Sequence, residues 1–312
     1  MEIKKLNSII KLWGMDYKKS RQDILIPGSP ERTLFRIVVQ DAENKLWMLE
    51  QIAQNLLERK NRIAHNLNQL KKQNPSLTLR PYMMNTSQSF TSFFQGSYWM
   101  LSPYLYAESL IRPDYLKEEW RGKALAQFMI DLRATVLQTK TLDTSTDLPG
   151  LDSYALTLAQ QISQHNPKVY TAIEPIMNYL NDNLFPCLKK LPHFFCHGDF
   201  HPENVLWGQH EMLSVIDWEF SGPRPELYDL ANLIGCMGME HPSAFEKPMM
   251  KTLASGLRQS HFGDAISWSK LKELIICLRL GWMSEWLRKK DQEMVELEIE
   301  FMHLLLNELI LE

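Results

Sequence analysis

The stretch from residue 193 to 220, HFFCHGDFHPENVLWGQHEMLSVIDWEF, decides how the rest of the chain is read. Its opening residues are apolar and aromatic and stop at Cys196, as a short strand does. HGDFHPEN follows as a loop, punctuated by Gly198 and Pro202. VLW and MLSVI then read as two further short strands, turned into each other at Gly208-Gln209-His210. Antiparallel pairing of these two brings the ends flanked by Asn204 and Asp217 to one side. Asp199 sits in the adjoining loop, so three oxygen-bearing side chains are expected to converge.

Oxygen donors of this kind suit a hard cation. Magnesium takes one or two protein carboxylates and fills the rest of its shell with water and substrate phosphates. A carboxylate left off the metal can accept the proton of an attacking hydroxyl, and phosphoryl transfer asks the protein for little beyond positioning and charge neutralisation. Asp199 and Asn204 are five residues apart (204 − 199 = 5), the Asp-x-x-x-x-Asn spacing of a kinase catalytic loop, and Asp217 stands where a second metal-binding carboxylate follows.

On these residues the chain resembles the aminoglycoside phosphotransferase and choline kinase-like family. HGDFHPENVL is similar to that family's His-x-Asp-x-x-x-x-Asn loop, and IDWEF to its metal-binding Ile-Asp segment. PELYDLANL resembles the helix that follows. The resemblance is close over residues 193–235 and architectural elsewhere. It implies Asp199 as catalytic base with His197 supporting the loop, Asn204 and Asp217 on Mg2+, and Asp229 bracing the loop. It also implies ATP or GTP as co-substrate and a small hydroxylated acceptor, a metabolite or an aminoglycoside-like compound.

Outward from the island, the chain changes character near residue 105. ERTLFRIVVQ and KLWMLEQI are rich in β-branched and apolar residues around the turn-like DAENK, and predict a hairpin. Residues 55–73 carry Leu56, Ile63, Leu67 and Leu70 at helical spacing and stop at Asn74-Pro75. SFTSFFQGSYWMLSPYL predicts a second hairpin about Gln95-Gly96. After Pro103 the segments read as helices, at about 117–138, 151–163, 167–182, 225–237, 244–258, 268–289 and 291–310. The expected class is α+β: a two-lobe protein kinase-like fold. A small antiparallel-sheet N-lobe over residues 1–105 would bind nucleotide, and a mostly helical C-lobe over 106–312 would carry the catalytic and metal-binding loops.

The nucleotide side departs from the kinase pattern. Kinases of this shape hold the phosphates with a lysine on the third strand, paired to a glutamate on the next helix. In KLWMLEQI, Glu50 falls where that lysine belongs. Three explanations stay open: a shifted register in which Lys45 serves, a swapped arrangement in which Glu50 meets a helix cation such as Arg59 or Arg62, or lost catalysis. Gly28 and Ser29, with Arg32 after them, are the candidates for a phosphate loop, and Ser102 and Tyr104 lie in a hinge-like stretch suited to the base. On the acceptor side the candidates are His201, Trp218, Trp282 and Trp286, the last two four residues apart on one helical face.

Composition narrows the classes. With 312 residues and 45% hydrophobic content the chain can bury a sizeable core, and a net charge of -3 gives no pull toward nucleic acid or an anionic membrane. Cys187, Cys196, Cys236 and Cys277 have neither metal-ligand nor disulfide-framework spacing, which favours a reducing, cytoplasmic setting. The start, with Leu6, Ile9, Ile10 and Trp13 on one stripe, is too short and interrupted for a secretion signal and reads as an amphipathic helix. The competing function is a catalytically silent kinase-like protein that binds a nucleotide or ligand. A hydrolytic metal centre built on His197, Asp199 and His201 lacks the further His or Cys ligands such sites need.

Overall fold

The computed structural model describes residues 3–24, 26, 34–146, 148–241 and 243–307. They fall into two compact units, each treated by itself.

The first unit holds residues 1–109, 134–143 and 205–219. Its helix α1 (Ile3–Ile10) precedes strand β1 (Tyr17–Ser20), and the hairpin β2 (Phe35–Asp41) and β3 (Leu46–Ile52) comes next. Helix α2 (Leu57–Gln73) leads to a second hairpin, β4 (Thr91–Phe94) and β5 (Ser97–Pro103). The strands form one sheet in the order β1-β2-β3-β5-β4, antiparallel throughout. The predicted turn of the second hairpin is present: Gln95 and Gly96 have φ of 48° and 76°, as a two-residue turn with right-handed strand twist requires.

Alternation along β3 divides the core. Trp47 and Leu49 pack with Leu6, Ile9, Ile10 and Trp13, so α1 covers one face through the stripe read from the sequence. Ile52 joins Ala64, Phe90 and Met100 on the other, which α2 covers. Strand β1 was not expected. YKKS is short and polar, and only its pairing with β2 makes it a strand. Also in this unit are β7 (Val205–Trp207) and β8 (Met212–Val215), paired so that Val205 opposes Val215. Gly208 N–H donates to the Glu211 carbonyl across their turn.

The second unit holds residues 110–133, 144–204 and 220–312 and is mostly helical. Helix α3 (Glu119–Gln138) begins in it, and α4 (Leu151–His165) and α5 (Pro167–Asn183) follow. Strand β6 (His193–Cys196) pairs with β9 (Gly222–Pro225). Helices α6 (Tyr228–Gly238), α7 (Pro248–Gln259), α8 (Ala265–Ser269), α9 (Leu271–Lys289) and α10 (Gln292–Asn307) complete it. The helix expected from residue 225 starts three residues later because GPRP pairs as β9 first. Two prolines disguise that strand in sequence, and it uses them as an edge strand can. Among the described residues no helix is long and apolar enough to cross a membrane.

Candidate active site

In the second unit the loop after β6 is held from below by one carboxylate. Asp229, in the first turn of α6, accepts the backbone N–H of His197 at 2.7 Å and that of Gly198 at 2.8 Å. Burial pushes the Asp229 carboxyl up to about 6, against the two N–H groups and Arg224, which pull it down. Gly198 has φ of 83°, and a Cβ there would lie 2.1 Å from the Phe220 carbonyl oxygen, so only glycine fits. The imidazole of His197 is fully buried, and its Nδ1 accepts the N–H of Asp199 at 3.1 Å. Phe200 stacks on Phe128, and its carbonyl accepts from Asn232 Nδ2 at 3.1 Å.

This bracing sets the two polar residues of the loop against each other. Asn204 Nδ2 donates to the Asp199 carbonyl at 2.8 Å and lies 3.4 Å from Asp199 Oδ2. The amide nitrogen is thus engaged, which leaves the Asn204 carbonyl oxygen as the end suited to a cation. His201 Nε2 stands 3.9 Å from Asp199 Oδ2, and its ring meets Trp282 edge-on at 5.5 Å. Trp282 in turn donates to Asn232 Oδ1 and lies 6.4 Å from Trp286. Trp286 donates to Glu298 Oε1, the buried partner of Arg279, so its polar end is engaged inside the helical unit. Asp199, His201 and the exposed parts of Trp282 therefore form one cluster.

In the first unit Asp217 follows β8 with φ of 63°, a left-handed conformation in which aspartate is among the few tolerated residues. Trp218 departs from its expected acceptor role: it is 4% exposed and its indole donates to the Val215 carbonyl, so it anchors this segment. Glu219 forms an ion pair with Lys60 of α2.

The β3 register is the expected one, with Glu50 on the face covered by α2. Lys45 is exposed and paired with Glu43, so it does not replace the missing lysine. Glu50 is 3% exposed and accepts from Arg36 Nε, its cross-strand neighbour, at 2.8 Å. Burial acts to raise the Glu50 carboxyl, but Lys60, Arg36 and Arg80 outweigh it and hold it below its ordinary value. The helix cation acting on Glu50 is thus Lys60, in place of the expected Arg59 or Arg62. A signal for it existed: Leu56, Lys60, Ile63, Leu67 and Leu70 continue one core stripe at spacings of four and three. Gly28, Ser29 and Arg32 lie outside the described residues. Ser102 is buried on β5, and Tyr104 N–H donates to the Leu46 carbonyl at 2.9 Å.

No three His, Cys, Asp or Glu side chains gather as a metal site among the described residues. The Nδ1 of His197 is taken by the Asp199 N–H, which argues against the hydrolytic centre. The amide oxygen of Asn204 in the second unit and the carboxylate of Asp217 in the first are each hard oxygen donors of the kind Mg2+ accepts, and that ion needs few protein ligands when phosphate oxygens and water supply the others.

The profile of the phosphotransferase enzyme family (APH) matches residues 34–261. The chain belongs to this family and is a phosphotransferase. No curated protein matches it in sequence. In structure it is similar to amicoumacin kinase hAmiN in complex with AMP-PNP, Ca2+ and Ami, at 11% identity and a TM-score of 0.70, over 97% of this chain and 94% of that one. It is similar also to macrolide 2'-phosphotransferase MphH from Brachybacterium faecium (12% identity, TM-score 0.60, 96% and 97% covered). A third likeness is to spectinomycin phosphotransferase APH(9)-Ia in complex with ADP and spectinomycin (15% identity, TM-score 0.57, 97% and 94% covered). The fold is the kinase-like one of aminoglycoside phosphotransferases, a five-stranded antiparallel sheet with a helical lobe.

Proposed function

We propose that the chain transfers the terminal phosphoryl group of ATP or GTP to a hydroxyl of a small polar compound, with Asp199 as the catalytic base. The observation that carries this reading is the loop held by Asp229: it orders His197, Gly198, Asp199 and Asn204 through hydrogen bonds of 2.7–3.1 Å. Asn204 and Asp217 would hold Mg2+, which neutralises phosphate charge when bound. Asp199 orients the acceptor hydroxyl and takes its proton as the new oxygen–phosphorus bond forms. The bond from that phosphorus to the bridging oxygen of the nucleoside diphosphate breaks. His201, 3.9 Å from Asp199 Oδ2, and Trp282 beside it are the acceptor-side contacts.

The strand-rich unit is the nucleotide-binding part, and the backbone at Ser102–Tyr104 is its contact for the base. The compounds named with the similar structures, Ami and spectinomycin, put small antibiotics beside hydroxylated metabolites among acceptors to try. All four cysteines are free, which suits a cytoplasmic enzyme.

Nucleoside diphosphate release, measured across amino sugars, amino alcohols, sugars and antibiotics, identifies the acceptor. With it in hand, Asp199→Ala should lower kcat by at least about a thousandfold while the nucleotide Kd stays within a few-fold. Turnover near the parent rate in that variant rejects the base assignment. Glu50 in the lysine position favours the second reading, a silent binding protein. Nucleotide binding without turnover on any acceptor would support it.

A further inference from the structure

We infer that the charge roles of the third strand and the following helix are exchanged in this protein: Lys60 of α2 is the cation for the nucleotide phosphates, and Glu50 of β3 is its positioning carboxylate. The inference deepens the kinase reading and rests on it.

Lys60 is 2% exposed, and lysine is almost never buried so fully unless it is paired. Its ammonium forms an ion pair with Glu219, two residues after Asp217. The helix cation is thereby tied to the segment that carries the proposed metal ligand, which is where a phosphate-binding cation has to act. Burial acts to lower the Lys60 ammonium, but Tyr82, Glu50 and Glu219 outweigh it and hold it above its ordinary value. A buried ion pair is no better for stability than apolar residues of the same volume. Core packing alone gives no reason for a lysine on a stripe otherwise made of Leu56, Ile63, Leu67 and Leu70.

Glu50 does not stand as a bare anion in this arrangement. Arg36 Nε donates to its Oε1 at 2.8 Å, the Tyr82 hydroxyl lies 3.5 Å from Oε2, and Lys60 and Arg80 act on it electrostatically. Glu50 is thus compensated by Arg36, Lys60 and Arg80, while Lys60 also pairs with Glu219. The long flexible stem of lysine lets a helix position deliver the ammonium that a strand position delivers elsewhere. Arg36 acts through Glu50 and is a positioning residue.

The test uses the unaltered protein and an acyl-phosphate derivative of ATP or GTP. An amine beside the bound phosphates attacks its acyl carbon, forms an amide, releases the nucleotide as its phosphate leaving group, and loses a proton to solvent. Peptide mapping should find Lys60 acylated, and excess magnesium nucleotide should suppress the labelling. Titration calorimetry then compares the triphosphate with the matching nucleoside. Lys60→Met should weaken the triphosphate at least about tenfold and leave the nucleoside within about twofold, as expected when one charged contact is removed. The double variant Glu50→Lys with Lys60→Glu, which returns the lysine to the strand, should recover most of that loss.

If the unaltered protein binds triphosphate but is acylated only at other lysines, the exchange is wrong while the kinase reading stands. Equal weakening of nucleoside and triphosphate in Lys60→Met would show a structural role and overturn it as well. Absence of any nucleotide binding by the unaltered protein would instead count against the kinase reading itself.

Discussion

Asp229 accepts the backbone N–H of Gly198 at 2.8 Å, and this single bond ties the first turn of α6 to a loop residue that no other amino acid can replace. The same carboxylate holds the N–H of His197, so the geometry of Asp199 and Asn204 is set by a group that touches neither of their side chains in this network. The role is one of positioning. It depends on Asp229 being ionised, because protonation converts one acceptor oxygen into a donor.

Asp229 should therefore leave a mark on the pH dependence of stability. Its carboxyl rises from an ordinary 3.8 to about 6 on folding. A raised acid contributes stability below its unfolded value and loses that contribution as pH rises through the folded one. The loss falls between about pH 4 and 6 and is on the order of 3 kcal/mol for a shift of about two units. Urea unfolding of the protein and of Asp229→Asn at pH 4, 5, 6 and 7 checks this. The stability difference, parent minus variant, should fall across that window and flatten above it. A difference that stays level or rises would contradict the assignment. Activity should move the other way, declining as pH drops below about 6.

Gly198→Ala meets two obstacles at one atom. Its φ of 83° disfavours any Cβ, and that Cβ would lie 2.1 Å from the Phe220 carbonyl oxygen. Relief requires the loop or the backbone at Phe220 to shift. A loss of about 3 kcal/mol or more is expected from the strain and the clash together. A folded fraction of this variant should retain little turnover. Thermal unfolding that matches the parent protein would show that the loop is not held where described.

Deep in the helical unit, Arg279 and Glu298 are 4% and 0% exposed in their side chains and form an ion pair that also takes the indole N–H of Trp286. Removing one charge leaves the other buried without its partner. Arg279→Met should cost about 3–5 kcal/mol, and the double variant with Glu298→Leu should recover much of it. Unfolding midpoints in denaturant give both numbers. Little loss in the single variant would mean that the pair is not closed in solution.

Much of the loop from His197 to Asn204 could be read from the chain because its signals are local. Gly198 and Pro202 punctuate a loop whatever surrounds them, two short apolar runs about Gly208-Gln209-His210 mark β7 and β8, and the interval from Asp199 to Asn204 is a matter of counting. The hairpins of the sheet were legible for the same reason, with Gln95-Gly96 demanding a two-residue turn. The prolines of β9 and the polar residues of β1 carry no such signal, since pairing with β6 and β2 is what makes them strands.

What sequence determined by itself was the chemistry available: two acids and an amide on one β-turn-β stretch, and a carboxylate where a strand lysine is usual. What tertiary structure decided was which groups meet. Each step along an α-helix turns a side chain by about 100°, so Arg59, Lys60 and Arg62 point in three directions, and only the seating of α2 on the sheet selects Lys60 to face Glu50 and Glu219. Asp229 likewise lies some thirty residues from the loop it braces, a distance that only the pairing of β6 with β9 and the start of α6 close.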